Sequence, residues 1–387
     1  MKSARENTQA LFNSEPAERV GLHDGPWGAT IEKWVTQGYP THKATRKVKK
    51  TLIEDGKAIE REVEEEFDTP VCVHEHFGFD MVGCGGWYDM MALRNVHEVI
   101  EETDEWQIAR NGMGAALKQW KHKDGTPEHV DFRMTSREIW ERDYRPHVVG
   151  IDRTRIDVEG AARELERQTA AGKWTHYGTL FVWEHMRRSM GDLCMYESLA
   201  VDPGWIRDFN RVYTDHLIGH YRILIEEGGV PDGIWLYEDL GFKERLFCSP
   251  KMLSELIFPY YAEVVEFLHS YGMKVVLHSC GFTMDALPLI VEAGFDGLNP
   301  MEVAAGNDIF KVAEQYADDL VFVGGFDKRI IESHDKDLIR KEVTKFMEGM
   351  KERGARFLFG SDHSISTNTD YEDFQYTLEV YREHMMY

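Results

Sequence analysis

The sequence predicts an α/β protein, a (β/α)8 TIM barrel that takes in residues 1–387 as a single domain, with insertions in the N-terminal half. Three observations carry this. Short apolar, β-branched runs alternate with amphipathic segments of helix length. The runs are apolar throughout rather than at every second residue, as strands buried on both faces of a parallel sheet must be. About eight such runs can be counted along the chain, which suits a closed barrel better than an open sheet.

Val20–His23 and a less defined run near Phe79–Val82 open the series, and Tyr177–Trp183 follows. Gly233–Tyr237 ends in Glu238 and Asp239. Next comes a helix from Ser249 to His269, with Ser249 as N-cap, Pro250 at the first helical position and Gly272 just beyond the end. Its Leu253, Leu256, Ile257, Tyr260, Tyr261, Val264, Val265 and Leu268 recur at helical steps, and Pro259 is expected to kink it. It feeds Met273–Leu277, too short for a helix, which ends in His278, Ser279, Cys280 and Gly281. Phe295–Leu298 ends in Asn299, and Leu320–Val323 ends in Gly324, Gly325 and Asp327. Arg356–Phe359 ends in Gly360, Asp362 and His363, and helical patterns over Asp285–Ala293 and Asp308–Tyr316 supply crossovers.

Two stretches, at about 42–67 and 93–132, break this rhythm and read as insertions on the barrel. The first alternates around a turn at Asp55 and Gly56, although its Glu-rich end (Glu62, Glu64, Glu65, Glu66) reads equally as helix or as a solvated face. The second has a turn at Asp124 and Gly125 and is followed by a capping box, Thr135 with Glu138.

Composition narrows the function. With 45 Lys+Arg against 68 Asp+Glu the formal charge is −23, a surface that repels phosphate backbones and anionic lipid, so neither nucleic acid nor membrane is expected as a partner. The absence of a secretory h-region and five widely spaced cysteines point to the cytoplasm. No GxGxxG after a strand, P-loop or GxSxG is present.

Barrel active sites form at the carboxyl ends of the strands, so the polar residues there are the functional candidates. The sharpest signal is His278-Ser279-Cys280: residues two apart on an extended segment share a side, so an imidazole and a thiolate can converge on zinc. Glu238 and His363, with Asp362 beside it, are the candidate remaining ligands; packing and hydrogen bonding at a loop is the equally weighted alternative. Asp239, Asp362 and His363 are the candidate acid/base groups. His23, Asp24, Trp27, Trp183, Glu184, Asn299, Glu302 and Asp327 are the candidate substrate contacts, the two tryptophans walling an apolar pocket. The dense His74-Glu75-His76 cluster is a weaker ligand candidate, because adjacent side chains diverge.

The run from Asp232 to the C-terminus, with VVLHSCGFTMDALPLIVEAGFDGLNPMEVAAG, LVFVGGFD and FGSDHS, resembles the uroporphyrinogen decarboxylase superfamily. That superfamily also contains zinc-dependent methylcobamide:thiol methyltransferases and the methyltransferase components of corrinoid demethylation systems. RVGLHDGPWGATIEKWVTQGYP and HFGFD look like the methyltransferase-like branch. The resemblance implies the barrel. It also implies that decarboxylases of porphyrinogens bring N-terminal arginines to an octacarboxylate, whereas Asp24–Trp34 has none. In the methyltransferases an HxC and a distant Cys hold zinc; His278 and Cys280 match the HxC, but the distant position reads Gly360, Ser361, Asp362, His363. Members acting on ethers or amines use more carboxylate and imidazole, a type that Glu238, His278, Cys280 and His363 suit. The implied function is a zinc-dependent methyltransferase moving a methyl group between a small donor (ether or amine), or a thiol acceptor, and a corrinoid protein. The implied cofactors are Zn2+ and a methylcobamide carried by that partner; a homodimer is one oligomer open to the chain, and the sequence does not select it. The alternatives are a metal-free decarboxylase of a cyclic or aromatic carboxylate, with Asp362 or His363 as proton donor, and a binding protein that has lost the reaction.

Overall fold

The computed structural model describes residues 2–54, 57–122 and 127–387. Its centre is a sheet of eight strands: β1 (Gly21–Leu22), β2 (Met81–Gly83), β3 (Trp174–Leu180), β4 (Gly233–Tyr237), β5 (Lys274–His278), β6 (Gly297–Asn299), β7 (Val321–Val323) and β8 (Arg356–Phe359). Every neighbouring pair is parallel, in the order β1-β8-β7-β6-β5-β4-β3-β2. The two ends of this order meet at Asp80. Its N–H donates to the Leu22 carbonyl at 2.8 Å, its carboxylate accepts from the Leu22 N–H at 2.8 Å, and Arg19 neutralises it at 2.6 Å. The sheet is thereby rolled into a barrel, as the sequence predicts.

Alternation along the strands divides the core. Met81, Trp174, Trp235, Val276, Val321, Val323 and Leu358 form one cluster inside the barrel, joined by Leu11 and Phe12 of the N-terminal helix Ala4–Phe12. Ile234, Leu236, Val275 and Leu277 face the other way, into the larger cluster under the surrounding helices.

Several boundaries differ from expectation for local reasons. β3 lies three residues earlier than predicted, since Trp183 belongs to the helix Val182–Val201 that starts just after the strand. The expected long helix is two, Pro250–Leu256 and Phe258–His269, parted at Ile257 (φ −120°), with Pro259 in the first turn of the second. Ser136, not Thr135, caps the next segment: its hydroxyl accepts from the Ile139 N–H, and the helix is only Arg137–Ile139 before a π turn at Trp140–Tyr144.

The first insertion is a hairpin of Thr41–Glu54 against Lys57–Pro70. Its Glu-rich end is strand, because cross-strand cations answer it: Arg46 and Lys50 reach Glu65 at 3.0 and 3.2 Å, and Lys43 reaches Asp68 at 2.9 Å. The second insertion is an antiparallel sheet of His97–Glu102, Trp106–Asn111, Ala115–Trp120 and Glu128–Phe132. The turns expected at Asp55-Gly56 and Asp124-Gly125 lie outside the described residues. Among the described residues no helix is long and apolar enough to cross a membrane.

Candidate metal centre

The period-two rule that shapes the barrel also sorts its mouth. On β5 the inward series Val276, His278 continues to Cys280; on β4 the inward series Trp235, Tyr237 continues to Asp239. Because Tyr237 and His278 are in register, Asp239 and Cys280 end up side by side, and the Cys280 N–H donates to Asp239 Oδ1 at 2.8 Å. His278 Nε2 lies 3.3 Å from Cys280 Sγ and 3.8 Å from Asp239 Oδ1, and the three donor atoms all fall within 4.8 Å of one another. Ligands of a tetrahedral zinc, with bonds of about 2.3 Å to sulfur and about 2.0 Å to nitrogen, stand about 3.3–3.6 Å apart. The donor set fits.

A neighbour fixes which imidazole nitrogen is free. Asn299 at the end of β6 donates through Nδ2 to the Val323 carbonyl at 2.7 Å, so its Oδ1 must face His278, whose Nδ1 is 2.6 Å away. His278 therefore carries its proton on Nδ1 and directs the Nε2 lone pair at Cys280 and Asp239, the orientation a metal-binding histidine requires. Burial lowers the His278 pKa and keeps the ring neutral. Burial, then the carboxylates of Asp239 and Glu302, push the Cys280 thiol up, so a bound cation is what would release its proton. Gly281 (φ 79°) lets the loops after β4 and β5 touch: a Cβ there would lie 2.4 Å from the Gly241 carbonyl oxygen.

Glu238, expected as a ligand, points the other way. It continues the outward series Ile234, Leu236 and is fully buried; its oxygens accept from the N–H groups of Phe181 at 2.6 Å, Trp183 at 2.7 Å and Glu184 at 3.3 Å, and from Tyr261 Oη at 2.6 Å. Desolvation pushes this carboxyl up to about 8. It caps the helix Val182–Val201, and Asp239 stands where it was expected.

The remaining candidates separate into mouth and scaffold. His363 is near enough for its charge to act on His278, packs edge-on to Trp27 at 6.4 Å, and holds a buried Nδ1 with no partner. Glu302 accepts from the Gly281 N–H at 2.8 Å and, with Cys280, Phe242, Lys243 and Ala304, borders a cavity of about 410 Å³. Glu184 pairs with Arg187 at 2.6 Å, within electrostatic reach of Asp239. Asp362 is scaffold, its oxygens accepting from the N–H groups of Val303 at 2.9 Å and Lys328 at 3.0 Å. Asp24 accepts from the N–H and hydroxyl of Ser361 at 3.0 and 2.9 Å, and burial pushes it up to about 6. Asp327 caps the helix Lys328–Ile331 and pairs with Arg329 at 2.7 Å. Trp183 is fully buried in the helical core and walls no mouth. His23 packs at a tilt against Trp235 inside the barrel, the ring centroids 5.2 Å apart. His76 bonds Tyr371 while His74 packs on Phe79, so that cluster diverges. Sequence reasoning missed Tyr237, 5.1 Å from the His278 ring, and Trp87, stacked on Tyr237 at 5.5 Å. The inward parity of Tyr237 was the available signal; Trp87 sits in a loop that no periodicity marks.

Fold and site together define a parallel α/β barrel with thiol, imidazole and carboxylate converging at its mouth. Residues 199–384, which include Asp239, His278 and Cys280, match the uroporphyrinogen decarboxylase (URO-D) family, in keeping with the resemblance read from the sequence. A methyltransferase from Methanosarcina mazei has a similar structure, with a TM-score of 0.61 and 13% sequence identity over 99% of each chain, a likeness of fold alone. An AP endonuclease of family 2 from Brucella melitensis, at 13% identity, covers 56% of this chain and 83% of that one with a TM-score of 0.31, too loose to carry an argument. No curated protein matches the sequence.

Proposed function

We propose that the protein is a zinc-dependent methyltransferase that moves a methyl group between a small methylated ether or amine, or a thiol acceptor, and the cobalt of a corrinoid carried by a separate protein. The observation that carries this reading is the triad of Asp239, His278 and Cys280, with its free imidazole lone pair aimed at the other two donors. Three protein ligands leave one position open, as a catalytic site needs. When bound, zinc would supply Lewis-acid polarisation of the leaving heteroatom, or hold an acceptor thiolate.

The chain's own residues do the rest. Asn299 keeps the His278 proton on Nδ1. Trp87 and Tyr237 present an aromatic wall beside the donors, suited to a neutral, partly apolar body. His363 Nδ1 is our candidate for the proton that the leaving heteroatom takes up. The sheet inserted after β2 belongs to a βα connection, the kind that rims a barrel mouth, and is our candidate contact for the corrinoid protein. Five free thiols accord with a cytoplasmic home. A decarboxylase using Asp362 as proton donor has no such support, since both its oxygens serve backbone N–H groups.

The test is metal-dependent turnover. Protein purified without chelator is incubated with methylated ethers and amines and free cob(I)alamin, and conversion to methylcobalamin is followed by its visible spectrum. We expect conversion with at least one donor, abolished in Cys280→Ala. Full activity in zinc-free wild type would overturn the reading.

A further inference from the structure

The first insertion is a ribbon without a core. Among the described residues its strands, Thr41–Glu54 and Lys57–Pro70, pair with no strand but each other, and none of residues 41–51 and 59–70 is buried. Such a two-stranded ribbon is marginal in water unless something holds it. With 14 residues to a strand, it reaches about 45 Å. Both of its edges, and the edge strand His97–Glu102 of the second insertion, end their sheets with backbone groups that no further strand takes up among the described residues.

Charge sorts these edges. Residues 41–51 carry Lys43, Arg46, Lys47, Lys49 and Lys50 and no acid. His97–Glu102 carries Glu98, Glu101 and Glu102, with Val99 46% and Ile100 49% exposed. Charged side chains guard a strand edge against pairing with its own kind. Here the two guards have opposite sign, so each edge repels its like and attracts the other. Arg46 and Lys50 already answer Glu65, Glu98 answers Arg133 and Glu102 answers Lys121, but Lys47, Lys49 and Glu101 have no ion pair among the described residues.

Topology sets the two edges at opposite ends of the barrel. The hairpin lies between the helix Gly28–Thr36 and β2, a connection at the amino ends of the strands, and the Val71 N–H closes its base on the Pro40 carbonyl at 3.0 Å. The second insertion follows β2, at the carboxyl ends. A two-fold axis that sets two barrels antiparallel therefore brings each hairpin to the other copy's sheet, and both contacts close together. Hairpin on hairpin, basic edge to acidic edge, would not close and would run on as a fibre.

We propose that the protein is a dimer in which the strand Thr41–Glu54 of each copy adds, antiparallel, to the strand His97–Glu102 of the other. With Val48 opposite Ile100, this register faces Arg46, Lys47 and Lys50 with Glu102, Glu101 and Glu98. Only the edge of the second insertion is used, and neither strand carries a residue of the metal centre.

Sedimentation velocity on the full chain reads the oligomer, and an exchange of charge reads the interface. Wild type is expected to be a dimer at micromolar concentration that loosens as salt is raised. Lys47→Glu and Glu101→Lys, each checked for native circular dichroism, should each weaken the dimer by about tenfold or more, since a two-fold axis counts every substitution twice. The double variant, which restores opposite charges across the interface, should recover to within about threefold of wild type. A monomeric wild type overturns the proposal. So does a dimer that both reversals leave intact, or a double variant that dimerises no better than the single ones.

Discussion

Among the described residues, two regions bring three metal-type side chains within 4.8 Å: Asp239, His278 and Cys280 at the barrel mouth, and His334, Asp370 and Asp373 on its outer surface. Proximity is the same, but chemistry is not. In the outer group Asp370 already pairs with Lys33 at 2.7 Å and accepts from Gln37 at 2.8 Å, while His334 Nδ1 faces Asp373 at 2.7 Å. No thiol is present, half of the His334 side chain is exposed, and each donor has a partner within the chain. Such a cluster is a surface ion-pair network. At the mouth, by contrast, the imidazole lone pair is held open by Asn299, and a soft ligand stands beside it. What separates a site from a cluster is a donor left unanswered by the fold and a neighbour that holds it so.

The largest effect should come from cutting the mouth and sparing the surface. Cys280→Ala should lower zinc affinity by about a thousandfold or more and remove methyl transfer, whereas His334→Ala should change neither; dialysis against a competing chelator reads both. Adjacent carboxylates sharpen the contrast. Glu238→Ala should cost about 3–5 kcal/mol in urea unfolding, because three N–H groups and Tyr261 lose their acceptor, and should leave zinc bound. Asp239→Ala should do the reverse, losing metal with little loss of stability. Asn299→Ala, which frees the His278 ring to turn, should weaken zinc by about 10–100-fold. The smallest effect concerns pH. Asp24 has a folded pKa raised by burial to about 6 from 3.8, so its contribution favours the fold below pH 3.8 and is lost as pH rises through 6. Asp24→Asn should therefore gain on wild type by about 2–3 kcal/mol between pH 4 and 7, read as the difference in unfolding midpoints.

How far the sequence reached can be judged at β4 and β5. The barrel was legible because buried parallel strands announce themselves as apolar runs, and Lys274–His278 and Arg356–Phe359 lie almost where expected. His278 and Cys280 were legible from their spacing. The same spacing rule, counted along β4 from Trp235 and Tyr237 past the strand end, selects Asp239 and turns Glu238 outward. Trp183 reads as a strand-end residue in the sequence but is buried on a helix, because a strand end and a helix start are one residue apart there. The place of Trp87 depends on contacts between distant segments, which local pattern does not encode.

The most direct test of the metal centre is zinc K-edge X-ray absorption, with metal content, on the protein as purified and on Cys280→Ala. The account predicts about one zinc per chain, with one sulfur near 2.3 Å and lighter ligands near 2.0 Å, and near-total loss of metal in the variant. Zinc-free wild type, or a zinc shell of nitrogen and oxygen alone that Cys280→Ala leaves unchanged, would contradict it.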